Sequence, residues 1–188
     1  MTTQHFAAAT ALTLLTVVGQ PTVAHSPQDG MAVFERRIAE YVELHRRMAA
    51  AFPPPRLSDD GEEIHRVTAR LAAAITAARA GARAGDVFVT DAAGLIRGTI
   101  AINIARNEYD TAVLLGALRR ERRHYDRAPL VNERFPWELE QVPVSFLIWD
   151  LPQLPSELEY RLIERDLILL DVDADLVVDI LPDALPLP

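Results

Sequence analysis

Four carboxylates stand close together near the end of the chain: Asp171, Asp173, Asp175 and Asp179. Their spacing is that of the first, third, fifth and ninth places of a calcium loop, where oxygen ligands on alternate residues wrap one ion. They are the candidate metal ligands. The pattern fails where the geometry is most demanding. Leu176 stands where the sharp turn needs Gly, and Pro182 where the bidentate Glu belongs. A hairpin turn over 172–175 is the simpler reading, because Asp hydrogen-bonds its own backbone in turns.

His45 is the candidate catalytic residue. It lies mid-stripe between Tyr41 and Met48, where a His is ordinarily a hydrogen-bonded core residue, and acid–base work needs a partner that the sequence does not identify. Two Glu-x-x-His pairs, Glu62…His65 and Glu121…His124, have the spacing used by di-iron bundles, with Glu40 or Glu43 as a further ligand. Helical phase argues against that centre: Glu62 lies about 180° from Leu71 on the apolar stripe and should face water. Ser26, Ser58, Ser145 and Ser156 are the only serines, and none stands in a nucleophile elbow. Asp150 and Glu157 are placed to pair with Arg161 or Arg165.

Cysteine and lysine are both absent. That excludes disulfides, thiolate metal sites, thiol catalysis, Schiff bases and a Walker-type lysine. No Gly-rich phosphate loop is present, and no cofactor is expected. Residues 1–149 carry 17 Arg and 17 acids, whereas residues 150–188 carry 2 Arg and 10 acids, so the net charge of −8 belongs to the last fifth. An acidic C-terminus disfavours nucleic acid and anionic membrane surfaces.

The elements that must position these residues read as follows. Residues 6–18 form an apolar run of 13, and Thr22-Val23-Ala24 offers small residues at the recognition positions of a signal peptide. The expected leader is 1–24, despite an n-region with no Arg or Lys; an uncleaved N-terminal anchor is the alternative. With the leader removed the chain is expected to be secreted or periplasmic, with no transmembrane span in the mature part. A first helix is predicted from Asp29 or Gly30 to about Ala51, with Phe34, Ile38, Tyr41, Val42, His45 and Met48 inward. Pro53-Pro54-Pro55 ends it. A second runs from the Asp60 cap to about Ala80 with Ile64, Val67, Leu71, Ile75 and Ala78 inward. Thr90 is the expected N-cap of a third, packing through Leu95, Ile96, Thr99, Ile100 and Ile102. A fourth is expected over Asp110–Arg123, through Val113, Leu114, Ala117 and Leu118. The Pro-rich stretch 127–156 reads as a wrap that buries Trp137, Trp149 and Phe146-Leu147-Ile148.

Residues Leu158–Leu181 carry the strand pattern. Leu158, Tyr160, Leu162, Leu167, Leu169, Leu176, Val178 and Ile180 are assigned to one face, and Ile163, Ile168, Leu170 and Val177 partly fill the other. Such a sheet must be covered on both sides. The expected fold is one α+β domain over 25–188: three to four helices packed against a two- or three-stranded antiparallel sheet.

YVELHRRM near the start, GDVFVTDAAGLIR in the middle and the whole of Leu154–Pro186 resemble a family of uncharacterised exported bacterial proteins. The family pattern R-x-L-x-L-x-D-x-x-A-[ND]-L-[IV]-V-D falls on Arg165–Asp179, with Asp175 where the family favours Asn. The resemblance implies export but no catalytic residues. The expected function is a non-enzymatic structural or interaction module of the cell envelope, its partner an unknown envelope protein or surface. The alternative is a metal-dependent or acid–base hydrolase.

Overall fold

The computed structural model describes residues 27–52, 61–108, 129–135 and 145–186, together with 110, 112–114 and 116. The leader, the triple-proline break, Glu121…His124, Trp137 and most of the expected fourth helix lie outside these.

Helix α1 spans Pro27–Ala51 and opens with proline in its first turn, where a missing N–H costs nothing. Its predicted stripe is the buried one: Phe34, Ile38, Tyr41, Val42 and His45 are all within the core. Helix α2 spans Gly61–Ala78 and buries Leu71 and Ile75, whereas Ile64, expected inward, faces solvent in its second turn. Helix α3 spans Thr90–Arg106 and buries Ala92, Ala93, Ile96, Ile100, Asn103 and Ile104. Thr90 is its first residue; the N-cap is Val89, which makes no side-chain bond. Ile102 is exposed because it lies about 200° around the helix from Ile100, and one helix cannot turn both inward. Val113 is exposed as well, while Leu114 is buried as expected. Helices α1 and α3 approach closely at Gly30, where a Cβ would stand 2.4 Å from that of Asp91. A fourth, short helix α4 spans Ser145–Ile148 against α3, with the Asn103 side-chain amide donating to the Leu147 carbonyl at 3.2 Å.

The sheet is an antiparallel meander of β1 (Leu158–Ile163), β2 (Asp166–Asp171) and β3 (Leu176–Leu181), in that spatial order. Glu164, at φ 54°, turns the first hairpin, and the second turns over 172–175 with Asp175 at φ 56°. Asn and Asp tolerate that left-handed backbone better than most residues. Arg165 then clasps the tail: its guanidinium donates to the Leu185 carbonyl, and the backbone N–H of Leu185 returns to the Arg165 carbonyl at 3.0 Å.

Both faces of the sheet are covered. Leu158, Tyr160, Leu162, Leu167, Leu169, Leu176, Val178 and Leu181 join the helices in one core, and a ring stack of Phe34, Phe88 and Tyr160 ties α1 to β1. Ile163, Ile168, Leu170, Val177 and Ile180 form a second cluster with Phe135. Residues 132–135 run along the outer edge of β3, exchanging backbone hydrogen bonds with Asp175 and Val177.

Ile180 therefore lies on the face opposite to the one assigned by alternation. The register explains the change. Leu169 pairs with Asp179 and Leu170 with Val177, so Val178 is an extra residue in β3, a β-bulge. Val178 and Asp179 both turn toward the helices, and every later residue changes face.

The anticipated pairing of Asp150 and Glu157 with Arg161 or Arg165 does not occur. Asp150 pairs with Arg106, Glu157 with Arg46, Arg161 with Glu159 and Arg165 with Asp183. Each acid has found the nearest Arg presented by packing, two of them on helices far away in sequence. Trp149, expected to be buried, is 81% exposed.

Candidate functional site

The polar centre of the molecule lies where α1 meets the β2–β3 turn. Asp171 ends β2 on the helix-facing side and is fully buried. Its Oδ2 accepts the Tyr41 hydroxyl at 2.7 Å and meets His45 Nδ1 at 2.6 Å. Its Oδ1 accepts the backbone N–H groups of Asp173 and Ala174 at 3.1 and 2.8 Å. Tyr41 and His45 can share one carboxylate because four residues along a helix bring side chains to the same face. The carboxylate thus holds the helix and the turn together.

The His45 side chain is 4% exposed, and its Nε2 lies 3.5 Å from Asp173 Oδ2, whose side chain is 61% exposed. The hydrogen bond to Asp171 raises the pKa of His45, against the opposing pull of burial; the charges of Asp171, Asp173 and Glu157 add to the rise. These neighbours favour the protonated ring, and each ring nitrogen faces a carboxylate oxygen. Burial and the neighbouring carboxylate push Tyr41 far above the ordinary phenol, so its hydroxyl is a permanent donor here. Burial also pushes Asp173 up, with Asp171 and Glu157 repelling its negative charge.

Arg79 completes this layer from the end of α2. Its guanidinium sits 5.1 Å from the centre of the Tyr41 ring and donates to the Val178 carbonyl at 2.8 Å. Burial lowers its pKa. Among the described residues its buried Nη1 has no hydrogen-bond acceptor, and the ring face beneath the guanidinium supplies a compensating attraction.

The four candidate metal ligands do not converge. Asp171 serves Tyr41 and His45, and Asp173 stands over His45. Asp175 accepts Arg134 Nε at 2.6 Å on the other side of the turn. Asp179, carried inward by the bulge, accepts backbone N–H groups of Gly85, Val87 and Phe88 at 2.7–2.8 Å, and that of Ile180. Burial raises the Asp179 pKa, and these four donors pull it back. Among the described residues no group of three or more His, Cys, Asp or Glu side chains is placed to hold a metal. Glu62 and His65 are exposed on α2, as their phase requires. Thermal melts should accordingly show calcium and magnesium, at matched ionic strength, shifting the midpoint by no more than about two degrees relative to EDTA. A calcium-specific rise well beyond that, abolished by Asp173→Asn, would contradict this arrangement.

Sequence reasoning found His45 and the acidic run but missed the partners that define the site. Tyr41 was visible only as a core residue, Arg79 as nothing in particular, and the donors at 85–88 carry no side-chain signal at all. The stripe spacing Tyr41–His45 was the one available cue, because two polar-tipped residues on a buried face need an acceptor.

The recesses lie elsewhere. One of about 490 Å³ runs between α2 and the edge of β3, floored by Ala69, Ala72, Ala73 and Ala77. Another of about 430 Å³ lies between α1 and the α2–α3 loop, beside Arg37, Tyr41 and Arg79. His45, Asp171 and Asp173 line neither.

Among the described residues no helix is long and apolar enough to cross a membrane. Comparison of the chain with protein-family models, curated proteins and solved structures gives no match.

Proposed function

We propose that the chain is a non-enzymatic structural or interaction module of the bacterial cell envelope, exported by the leader 1–24. One observation carries this reading. The group best suited to acid–base chemistry, His45, is 3% exposed, with Nδ1 bound to Asp171 and Nε2 turned to Asp173. A general base must have a free lone pair within reach of a substrate proton. His45 offers neither, and works instead as a cationic clasp between helix and turn. The resemblance to exported proteins supports an envelope setting, and the acidic last fifth of the chain opposes a nucleic-acid partner.

A hydrolytic reading keeps one feature in its favour. Asp173 is largely exposed, so its displacement would uncover Nε2 of a His already oriented by Asp171. Neither of the two recesses described above reaches that nitrogen.

The test compares the wild type with His45→Gln. Affinity capture from the native envelope, followed by mass spectrometry, should return the same partners for both at a temperature where both remain folded. The native protein should have an intact mass beginning at His25. Turnover of an ester or phosphodiester substrate by the wild type, lost in a folded His45→Gln, overturns the module reading. Full-length protein in the membrane fraction shows an anchor in place of a leader, and full-length protein in the cytoplasm defeats export.

A further inference from the structure

The two edges of the sheet differ. Residues 132–135 lie along the outer edge of β3 and bond to it. Among the described residues, the outer edge of β1 has no strand beside it. The Glu157 carbonyl accepts the Val172 N–H at 3.0 Å, in the register that pairs Leu158 with Asp171. Backbone bonds across an antiparallel pair use alternate residues. Glu159, Arg161 and Ile163 therefore bond to β2, and Leu158, Tyr160 and Leu162 turn their N–H and C=O groups outward. Among the described residues one backbone group meets this row: the Pro155 carbonyl takes the Leu158 N–H at 2.9 Å. The exposures agree. Leu167 and Leu169 of the central strand are 0% exposed, whereas Leu158, Tyr160 and Leu162 keep 5%, 7% and 6% with side chains in the same core.

A row of unpaired N–H and C=O groups is a template for another strand. The side chains say which strand it fits. About Tyr160 the sequence Leu158–Leu162 is symmetrical in type, with an acid on one side and a base on the other: Leu, Glu, Tyr, Arg, Leu. We propose that β1 pairs antiparallel with β1 of a second copy, centred on Tyr160, joining two three-stranded sheets into one. The proposal does not depend on the envelope reading above. In this register Tyr160 exchanges both backbone bonds with the partner's Tyr160, and the Leu162 N–H donates to the partner's Leu158 carbonyl. Glu159 stands directly opposite the partner's Arg161, and Arg161 opposite the partner's Glu159. These are positions without backbone bonds, where facing side chains come closest and opposite charges attract. Within one copy Glu159 and Arg161 already pair along the strand, so the dimer crosses the pairs and strands no charge. A slip of two residues sets Glu159 against its own copy in the partner, or Arg161 against its own, and like charges oppose both. The two-fold axis uses the same edge on each copy, so the assembly closes at two.

The test is sedimentation equilibrium of the purified native protein from about 1 µM to about 1 mM, with hydrogen exchange read at the Tyr160 and Leu162 amides. One strand edge covers less than the about 800 Å² that each partner gives to a stable interface, so the dimer should dissociate on dilution. Exchange at those two amides should slow as the dimer forms. Glu159→Arg and Arg161→Glu each set like charges opposite one another, and each should weaken self-association by roughly tenfold or more. Mixed in equal amounts, the two variants should associate again, because two bases then face two acids. The ion pair within each chain stays broken in that mixture, so recovery reports the contact between chains. Should either variant fail to fold, the wild-type exchange profile decides by itself. A chain that stays monomeric at about 1 mM leaves the edge to another kind of partner and overturns the proposal. A dimer with unchanged exchange at Tyr160 and Leu162 uses a different surface and overturns it. A mixture of folded variants that associates no better than either alone does the same.

Discussion

Asp179→Ala is expected to lower the stability of the domain by about 4 kcal/mol or more, a large share of what a domain of this size has. The substitution strips the acceptor from the N–H groups of Gly85, Val87 and Phe88, two of which belong to residues buried in the core. Each orphaned buried donor costs about 1–3 kcal/mol, and domains of this size are stable by roughly 5–15 kcal/mol. Water cannot replace the carboxylate without opening the contact between β3 and the α2–α3 loop. Asp179→Asn keeps one acceptor oxygen and should lie between. Asp91→Ala, an exposed acid in the first turn of α3, should cost only about 0.5 kcal/mol through the helix dipole. Urea midpoints measure all three. Equal midpoints for Asp179→Ala and Asp91→Ala would mean that the loop is not held by this carboxylate.

The second large effect is expected at Asp171→Asn. Removing one partner of a buried ion pair typically costs about 3–5 kcal/mol, because the other charge is left behind. Here the stranded group is His45, while the side-chain oxygen of Asn can still serve either Tyr41 or the turn. The pH dependence separates this from simple misfolding. The folded pKa of His45 is raised above 6.5, so its contribution is complete below pH 6.5 and is lost as pH rises through the folded value. Wild-type stability should therefore decline from pH 6.5 upward, and Asp171→Asn should show a flatter profile at lower overall stability. The raised carboxyls of Asp173, Asp166 and Asp179 also lose stability as pH rises through their own folded values, so the His45 signal is read as the difference between the wild-type and Asp171→Asn profiles. A wild-type profile that rises or stays level from pH 6.5 to 9 is incompatible with a cationic clasp.

The fold was largely legible in the sequence because it is written in periodicity. The α1 stripe, the strand phase of β1 and β2 and the turn at 172–175 follow from apolar spacing and turn chemistry. The errors share a cause. Ile180, Ile102, Ile64 and Trp149 were placed by rules that treat each element as regular and each large apolar residue as buried. A single extra residue at Val178 reverses the strand phase beyond it, and no local signal announces a bulge made without glycine. The site was half legible: His45 and Asp171 each stood out, but the bond between them spans 126 residues. The residues of Arg165–Asp179 have structural duties in this structure. Arg165 anchors the tail, Leu167, Leu169, Leu176 and Val178 face the helices, Asp171 and Asp179 take the inward donors, and position 175 needs a residue tolerant of positive φ.

The two buried aspartates carry a kinetic meaning as well. Asp171 joins a helix some 126–130 residues earlier, and Asp179 joins a loop 91–94 residues earlier. Until β2 and β3 exist, Tyr41 and His45 lack the Asp171 carboxylate, the amides of Gly85, Val87 and Phe88 lack that of Asp179, and the helices have no sheet to cover. Contacts of such long range slow folding, because loop closure precedes any reward. A nascent chain would therefore remain slack through most of its synthesis and lock only when its final strand arrives. Late locking is thus a property of the chain order itself.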